Sequence, residues 1–476
     1  MNKIIKNYLY TVSYNIVLMV LPLITIPYKA KILGPENIGI YSYVFSVFTY
    51  LVMMGNIGIN YYGRREIAYV KENKDKRSEI FYELLILKTV ITTLVMVVFF
   101  FIFGVRSEYF NFYLIMSIDI FFTIFDATWF LQGVEEFKKI SIISIIIKII
   151  NVFATFIFIR TPNDLMNYFI ITVVCDSSLI ILLLTFIPKY VGRIKRLNII
   201  KHLKPCLFIF MPQIYYHIYG ILDKIMLGNL AENISQVAFY EYSDKIVKIV
   251  LSILSSVITV MAPVLSNEFI KKKSQNLNEY MQKTIRFIFL IGIPLTFGLV
   301  AISNNLVSVV LGNSYLEMIP IIKILAVLII LSGITLVVGE QYLISVKKEN
   351  KYTILIIIGI IINIALNLLL IPKYEAVGAA IATILGQMVI LILEIPIIKQ
   401  FVNKSLMKSF TKYLLFSIIM YIVVYGIGLI NNSAIILSTQ IIVGTLIYMT
   451  ILFLTKDDFF KRNKEGCSIN TQLWKE

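Results

Sequence analysis

Asp223 and Lys224 stand side by side in YGILDKIMLG (219–228), inside an apolar run long enough to cross a membrane. A charge at mid-bilayer costs on the order of 3 kcal/mol on the more lenient insertion scales, so such residues face a bundle interior or a hydrated cavity. At about 100° per residue, Gln213, His217, Gly220 and Lys224 fall within an arc of about 60°. Pro212, Tyr216, Tyr219 and Asp223 form a stripe beside it, and Ile214, Ile218, Ile221, Leu222 and Ile225 fill the opposite side. Consecutive helix residues do not face each other, so the two charges are expected to meet different partners. Two readings stay open: each charge pairs structurally with a neighbouring helix, or the stripe lines a cavity whose tyrosines and cation suit a ligand with sugar rings and an anionic group.

The next apolar run adds cations. In YEYSDKIVKIV (240–250) the spacing sets Glu241 against Lys245 and Asp244 against Lys248, and puts Lys245 and Lys248 on one face. These are either helix-surface ion pairs with snorkelling lysines or part of a cationic lining, where lysine acts as a point charge for phosphate. Lys88, Asp119, Asp126, Lys148, Asp176, Glu340 and Glu394 also fall within apolar runs, and several are expected to pair for structure. The only histidines are His202 and His217, and Cys175, Cys206 and Cys467 have no metal or disulfide spacing, so neither a metal nor a cofactor is expected. Walker-type, HExxH and dinucleotide patterns are missing. Energy must then come from an ion gradient, a substrate gradient or the membrane potential.

Which elements position these residues? The 476 residues are 58% hydrophobic and 15% charged, and mean hydropathy is +0.84. A water-facing surface cannot be built from that composition, so a polytopic membrane protein is expected. About 20 apolar residues cross roughly 30 Å of hydrocarbon. Runs near 8–28, 38–59, 80–103, 111–132, 140–159, 166–187, 206–228, 240–264, 284–303, 319–345, 352–371, 377–398, 413–430 and 434–454 predict about fourteen transmembrane helices. They lack the period-2 alternation of a barrel, and MNKIIKNYLY leads directly into a full-length span with no cleavable leader apparent.

With the N-terminus inside, 33 of the 44 basic residues fall on the cytoplasmic side and five (Lys29, Lys31, Arg106, Arg160, Lys373) outside. That asymmetry predicts both termini in the cytoplasm. The formal net charge of +16 then reports topology and contact with anionic lipid rather than nucleic-acid binding. No loop is long enough to hold a soluble catalytic domain, so a secondary transporter, not an enzyme, is expected.

Short matches hint at a repeat. Lys31-Ile32-Leu33-Gly34 resembles Lys224-Ile225-Met226-Leu227-Gly228, each followed by a Tyr-rich helix start. The expected organisation is a six-helix lobe over 1–188, a basic cytoplasmic linker over 189–205 and a pseudo-symmetric six-helix lobe over 206–398 around a central cavity. Two further helices over 399–454 and a cytoplasmic tail over 455–476 complete it.

LPLITIPYKAKILGPENIGIYSY (21–43), GINYYGRREIAY (58–69), YGILDKIMLG (219–228), YEYSDKIVKIVLSI (240–253) and NIALNLLLIPKYEAVGAAIATILG (363–386) together resemble the bacterial Wzx-type oligosaccharide flippases. Their superfamily also holds lipid II flippases and multidrug and toxic compound extruders. The resemblance implies a two-lobed bundle with alternating access to a cationic cavity, and an undecaprenyl-diphosphate-linked oligosaccharide as substrate. It implies roles in capsule, O-antigen or exopolysaccharide biosynthesis, with polysaccharide polymerase and chain-length machinery as partners. On this sequence the implied cavity residues are Lys31, Arg65, Asp223, Lys224 and Lys245, joined by Gln213, Tyr216, His217, Tyr219 and Lys248 from the helix faces. Two positions depart from the pattern: Lys31 replaces an arginine and loses its bidentate phosphate geometry, and Val264 in MAPVLSN (261–267) replaces a basic residue. A multidrug antiporter of the same fold, a lipid II flippase and an integral-membrane polymerase are the alternatives.

Overall fold

The computed structural model is all-helical among the described residues, which are 3–101, 107–192, 197–271, 274–455 and 457; the side chains of 3–9, 15, 211–219 and 274–276 are not described. The helices are α1 (Lys3–Asn56), α2 (Ile59–Tyr69), α3 (Lys74–Phe99), α4 (Phe110–Ile124), α5 (Thr128–Gly133), α6 (Phe137–Phe158), α7 (Leu165–Leu184) and α8 (Leu203–Leu230). They continue with α9 (Ser235–Ile270), α10 (Ser274–Phe287), α11 (Ile293–Leu306), α12 (Ile319–Leu325), α13 (Leu328–Leu336), α14 (Glu349–Ile398), α15 (Lys404–Gly428) and α16 (Ala434–Leu454). Their lengths follow from the solvent: hydrocarbon offers a backbone amide no partner, so each crossing satisfies its own. Where the chain leaves the apolar runs, side chains take over the orphan amides. Asn73 accepts from Lys76 N at 3.0 Å, Asn403 from Leu406 N at 2.8 Å and Ser433 from Ile436 N at 3.3 Å.

Two helices are too long for one crossing. At 1.5 Å per residue the 54 residues of α1 would reach about 80 Å, and α1 breaks at Gly34, whose φ of 76° and ψ of 171° suit only glycine. The 50-residue α14 breaks at Glu375, with φ 49°. The expected spans 8–28 and 38–59, and 352–371 and 377–398, fall on either side of these breaks. Among the described residues, ten helices are long and apolar enough to cross a membrane, or eleven if the bent pair Asn313–Leu325 and Leu328–Leu343 is one crossing. This is an integral multi-pass membrane protein. The number fourteen remains a proposal, reached by dividing α1 and α14 and adding α8.

The chain forms two compact units, Met1–Tyr242 with Ile356–Thr383, and Ser243–Leu355 with Ile384–Glu476. In the first, α1 packs on α3, α6 and α8, α4 and α6 on α7, and α2 on α3 and α5. One core joins Ile59, Tyr62, Phe81, Trp129, Phe130 and Cys206, and another joins Val44, Phe48, Phe99, Tyr113, Met116 and Phe169. In the second unit α11 packs on α15 and α16 around Leu290, Ile293, Tyr413, Met420 and Tyr448. Large apolar side chains on the outer faces, such as Leu94, Phe153, Phe208 and Ile422, are exposed as lipid requires. The matched glycines of the suspected repeat differ: Gly34 interrupts a helix, while Gly228 lies within α8, where a Cβ would sit 2.1 Å from the Tyr43 ring.

Candidate functional site

The first unit carries ionisable groups in the middle of its spans. Lys148, halfway along α6, pairs with Asp176, halfway along α7, at 3.0 Å, and the two side chains are 32% and 28% exposed. Ser177 donates to Asp119 of α4 at 3.5 Å. Lys29 of α1 donates to the Tyr168 hydroxyl at 2.6 Å and lies within electrostatic reach of Lys148 and Glu241. Charges left partly exposed at this depth open onto water, because facing hydrocarbon would cost several kcal/mol each.

Asp223 and Lys224 take separate partners. The Asp223 carboxylate is fully buried; Tyr240 OH and Thr383 Oγ1 donate to Oδ2 at 2.5 and 3.0 Å, and Asn367 Nδ2 donates to Oδ1 at 2.6 Å. Three donors replace the water that a buried carboxylate loses. Lys224 pairs with Glu241 at 2.8 Å, with side-chain exposures of 15% and 9%. An ammonium has three N–H donors, so an ion pair leaves it capacity for a phosphate oxygen.

The remaining predicted residues are dispersed. Lys31 is exposed. Arg65 is exposed on α2, 3.0 Å from Glu66, with its guanidinium 5.4 Å from the Tyr62 ring centroid. In the second unit Lys245 is exposed, and Lys248 pairs with Asp244 at 2.6 Å. The side chains of Gln213, Tyr216, His217 and Tyr219 lie outside the described residues. Sequence reasoning singled out neither Lys29 with Tyr168 nor Lys148 with Asp176 as site members; the available signal for Lys148 and Asp176 was their position in apolar runs.

Near Arg65 lies a buried relay. Tyr62 OH meets His202 Nδ1 at 2.8 Å, His202 Nε2 meets Glu83 at 2.8 Å, and Lys201 pairs with Glu83 at 2.8 Å. Beside it, burial and a hydrogen bond to the Glu136 carboxylate hold the Tyr190 phenol above its ordinary value. The relay ties α2, α3 and the start of α8 together at the end of the unit that carries GRRE.

A family model described as "Polysaccharide biosynthesis protein" matches residues 4–269, more than half of the chain. The chain belongs to the polysaccharide biosynthesis protein family. A second model, MatE, matches residues 209–369. Among relatives, a protein of Escherichia coli (strain K12) named "Putative O-antigen transporter" is 22% identical over 372 residues, covering 76% of this chain and 88% of the relative. A Haloferax volcanii protein named "Probable low-salt glycan biosynthesis flippase Agl15" is 26% identical over 241 residues, covering 50% of this chain and 51% of its own. The fold is that of the lipid II flippase MurJ in its inward closed conformation, with a TM-score of 0.74 at 18% identity over 95% of this chain and 100% of that one. An inward-facing MATE multidrug transporter matches with a TM-score of 0.63 at 14% identity over 79% and 92%. These relatives and neighbours are transporters and flippases rather than enzymes.

Proposed function

We propose that this family member is a flippase carrying undecaprenyl-diphosphate-linked oligosaccharide repeat units from the cytoplasmic to the outer face of the inner membrane by alternating access, for capsule, O-antigen or exopolysaccharide synthesis. The observation that carries this reading is the set of lysines of the first unit, Lys148 and Lys224 within spans and Lys29 at the end of one, partly exposed and each held by a hydroxyl or carboxylate. Such ammonium groups suit a diphosphate as point charges. A hydrated lining removes the cost of stripping water from glycan hydroxyls, several kcal/mol each, while the polyprenyl tail remains in lipid.

In this reading the lobes are 1–188 and 206–398, the termini are cytoplasmic, and Lys31, Arg65, Gln213, Tyr216, His217, Tyr219, Lys245 and Lys248 contribute to substrate passage. The polymerase and chain-length machinery receive the product outside. Coupling is to an ion gradient or the membrane potential. The MatE match over 209–369 favours one rival, a multidrug antiporter, which would need an acidic rather than a basic lining for organic cations.

The test uses purified protein in proteoliposomes holding fluorescent lipid-linked oligosaccharide, with a membrane-impermeant quencher reading sidedness. Translocation that is lost in Lys224→Met, with no transport of an organic cation such as ethidium, is the expected result. Transport of ethidium and not of the glycan lipid would overturn the proposal.

A further inference from the structure

Where α2 packs on α5 in the first unit, a cavity of about 300 Å³ opens beside Arg64. Its volume is at the low end for small-molecule sites. Trp129, only 3% exposed, forms one wall and is held between the Phe81 ring and Gly63, where an added Cβ would lie 2.4 Å from the indole. Asp126 and Gln132 line the same space. Asp126 Oδ1 accepts from Thr128 N at 2.9 Å and Thr128 Oγ1 at 2.5 Å, and its backbone carbonyl accepts from the buried Lys88 Nζ at 3.3 Å. Packing and hydrogen bonds thus fix Trp129, Asp126 and Thr128 in the wall of the pocket. Asn60 Oδ1, also on the lining, is buried and accepts no hydrogen bond from a described residue.

We infer that this pocket holds one sugar ring of the transported glycan. The inference rests on the proposed flippase reading for the source of the sugar, and on the pocket itself for the chemistry. Asn60 Oδ1 is an acceptor in need of a donor. A sugar hydroxyl supplies one and also accepts from Arg64 or Gln132, whereas a diphosphate brings acceptors only and would meet the Asp126 carboxylate with like charge. Tyr61, half-exposed on the same lining, offers an aromatic ring to the apolar C–H face of a pyranose, while the buried Trp129 serves as the rigid wall behind. In the proposed topology the pocket lies at the cytoplasmic ends of the spans, where the lipid-linked glycan first meets the protein.

The chain's two tryptophans make the test direct. With Trp474→Phe in the full-length protein, emission reports Trp129 alone. It is titrated in detergent with the methyl glycosides of glucose, galactose, mannose, N-acetylglucosamine and N-acetylgalactosamine, with lipid-linked oligosaccharide, and with sodium pyrophosphate. The expected result is a saturable change with at least one glycoside, weakened about tenfold by loss of one hydrogen bond in Gln132→Ala, while the melting temperature of that variant is kept. Asn60→Ala provides a second variant with the same expectation. Tighter binding of the lipid-linked oligosaccharide than of any glycoside assigns the pocket to the carrier-borne glycan, and equal binding assigns it to free sugars. No saturable change with any sugar, or a change with pyrophosphate alone, overturns the inference. Translocation in proteoliposomes is read separately, so a protein that flips glycan but fails this titration keeps its proposed function and loses the pocket.

Discussion

Lys148 and Asp176 give the sharpest separation of structure from transport. Lys148 lies about 16 Å from either end of α6 at 1.5 Å per residue, near the middle of roughly 30 Å of hydrocarbon. Its ammonium is 3.0 Å from Asp176. Removing one partner leaves the other charged and unpaired, which costs 3–5 kcal/mol in a dry interior. Both side chains are nearly one-third open, so water offsets part of that, and Lys148→Met or Asp176→Leu should each cost about 2 kcal/mol. The double variant removes both charges and should cost about 1 kcal/mol, which implies a coupling energy of about 3 kcal/mol. Unfolding of the four proteins in one detergent measures the cycle. Translocation by the double variant then asks whether Lys148 also serves the substrate; a stable, inactive protein is expected. Stability losses that simply add would refute the pairing, and full transport by the double variant would refute the role of Lys148.

Asp223→Ala removes the charged acceptor shared by Tyr240, Asn367 and Thr383, leaving them the neutral acceptors Thr383 Oγ1, Asn363 Oδ1 and the Ala379 carbonyl; a loss of about 2 kcal/mol is expected in denaturant unfolding, and less for Asp223→Asn, which keeps an acceptor. Gly34→Ala places a Cβ at φ 76° in open space, so backbone strain alone should cost about 1–3 kcal/mol, read as a lower unfolding midpoint. Arg65→Ala removes an exposed pair with Glu66 and should change stability by less than about 1 kcal/mol. Loss of glycan translocation in that stable variant would mark Arg65 as a headgroup contact, and unchanged transport would leave it a surface charge.

Hydropathy made most of the helices legible, because in hydrocarbon length and apolarity decide what can cross. The break at Gly34 was readable as a Gly-Pro step, and the one at Glu375 as the polar gap in PKYEAVG. The separate partners of Asp223 and Lys224 followed from helical spacing. What was not legible is which distant residue answers which charge: Asn367 is 144 positions from Asp223, and no local pattern pairs them. The α5 pocket was missed for another reason. The apolar run 111–132 reads as one span, yet α4 ends at Ile124 and α5 begins at Thr128. Asp126 turns the chain by accepting from Thr128 N, and the signal was that single Asp-Ala-Thr within the run.

The most direct measurement is made in cells depleted of this protein: the membrane face on which undecaprenyl-linked oligosaccharide accumulates, read by its accessibility to an impermeant glycan-modifying enzyme. Accumulation confined to the cytoplasmic face, with loss of surface polymer, is the predicted result. Single lipid-linked units reaching the outer face and staying unpolymerised would contradict the account and point to a polymerase.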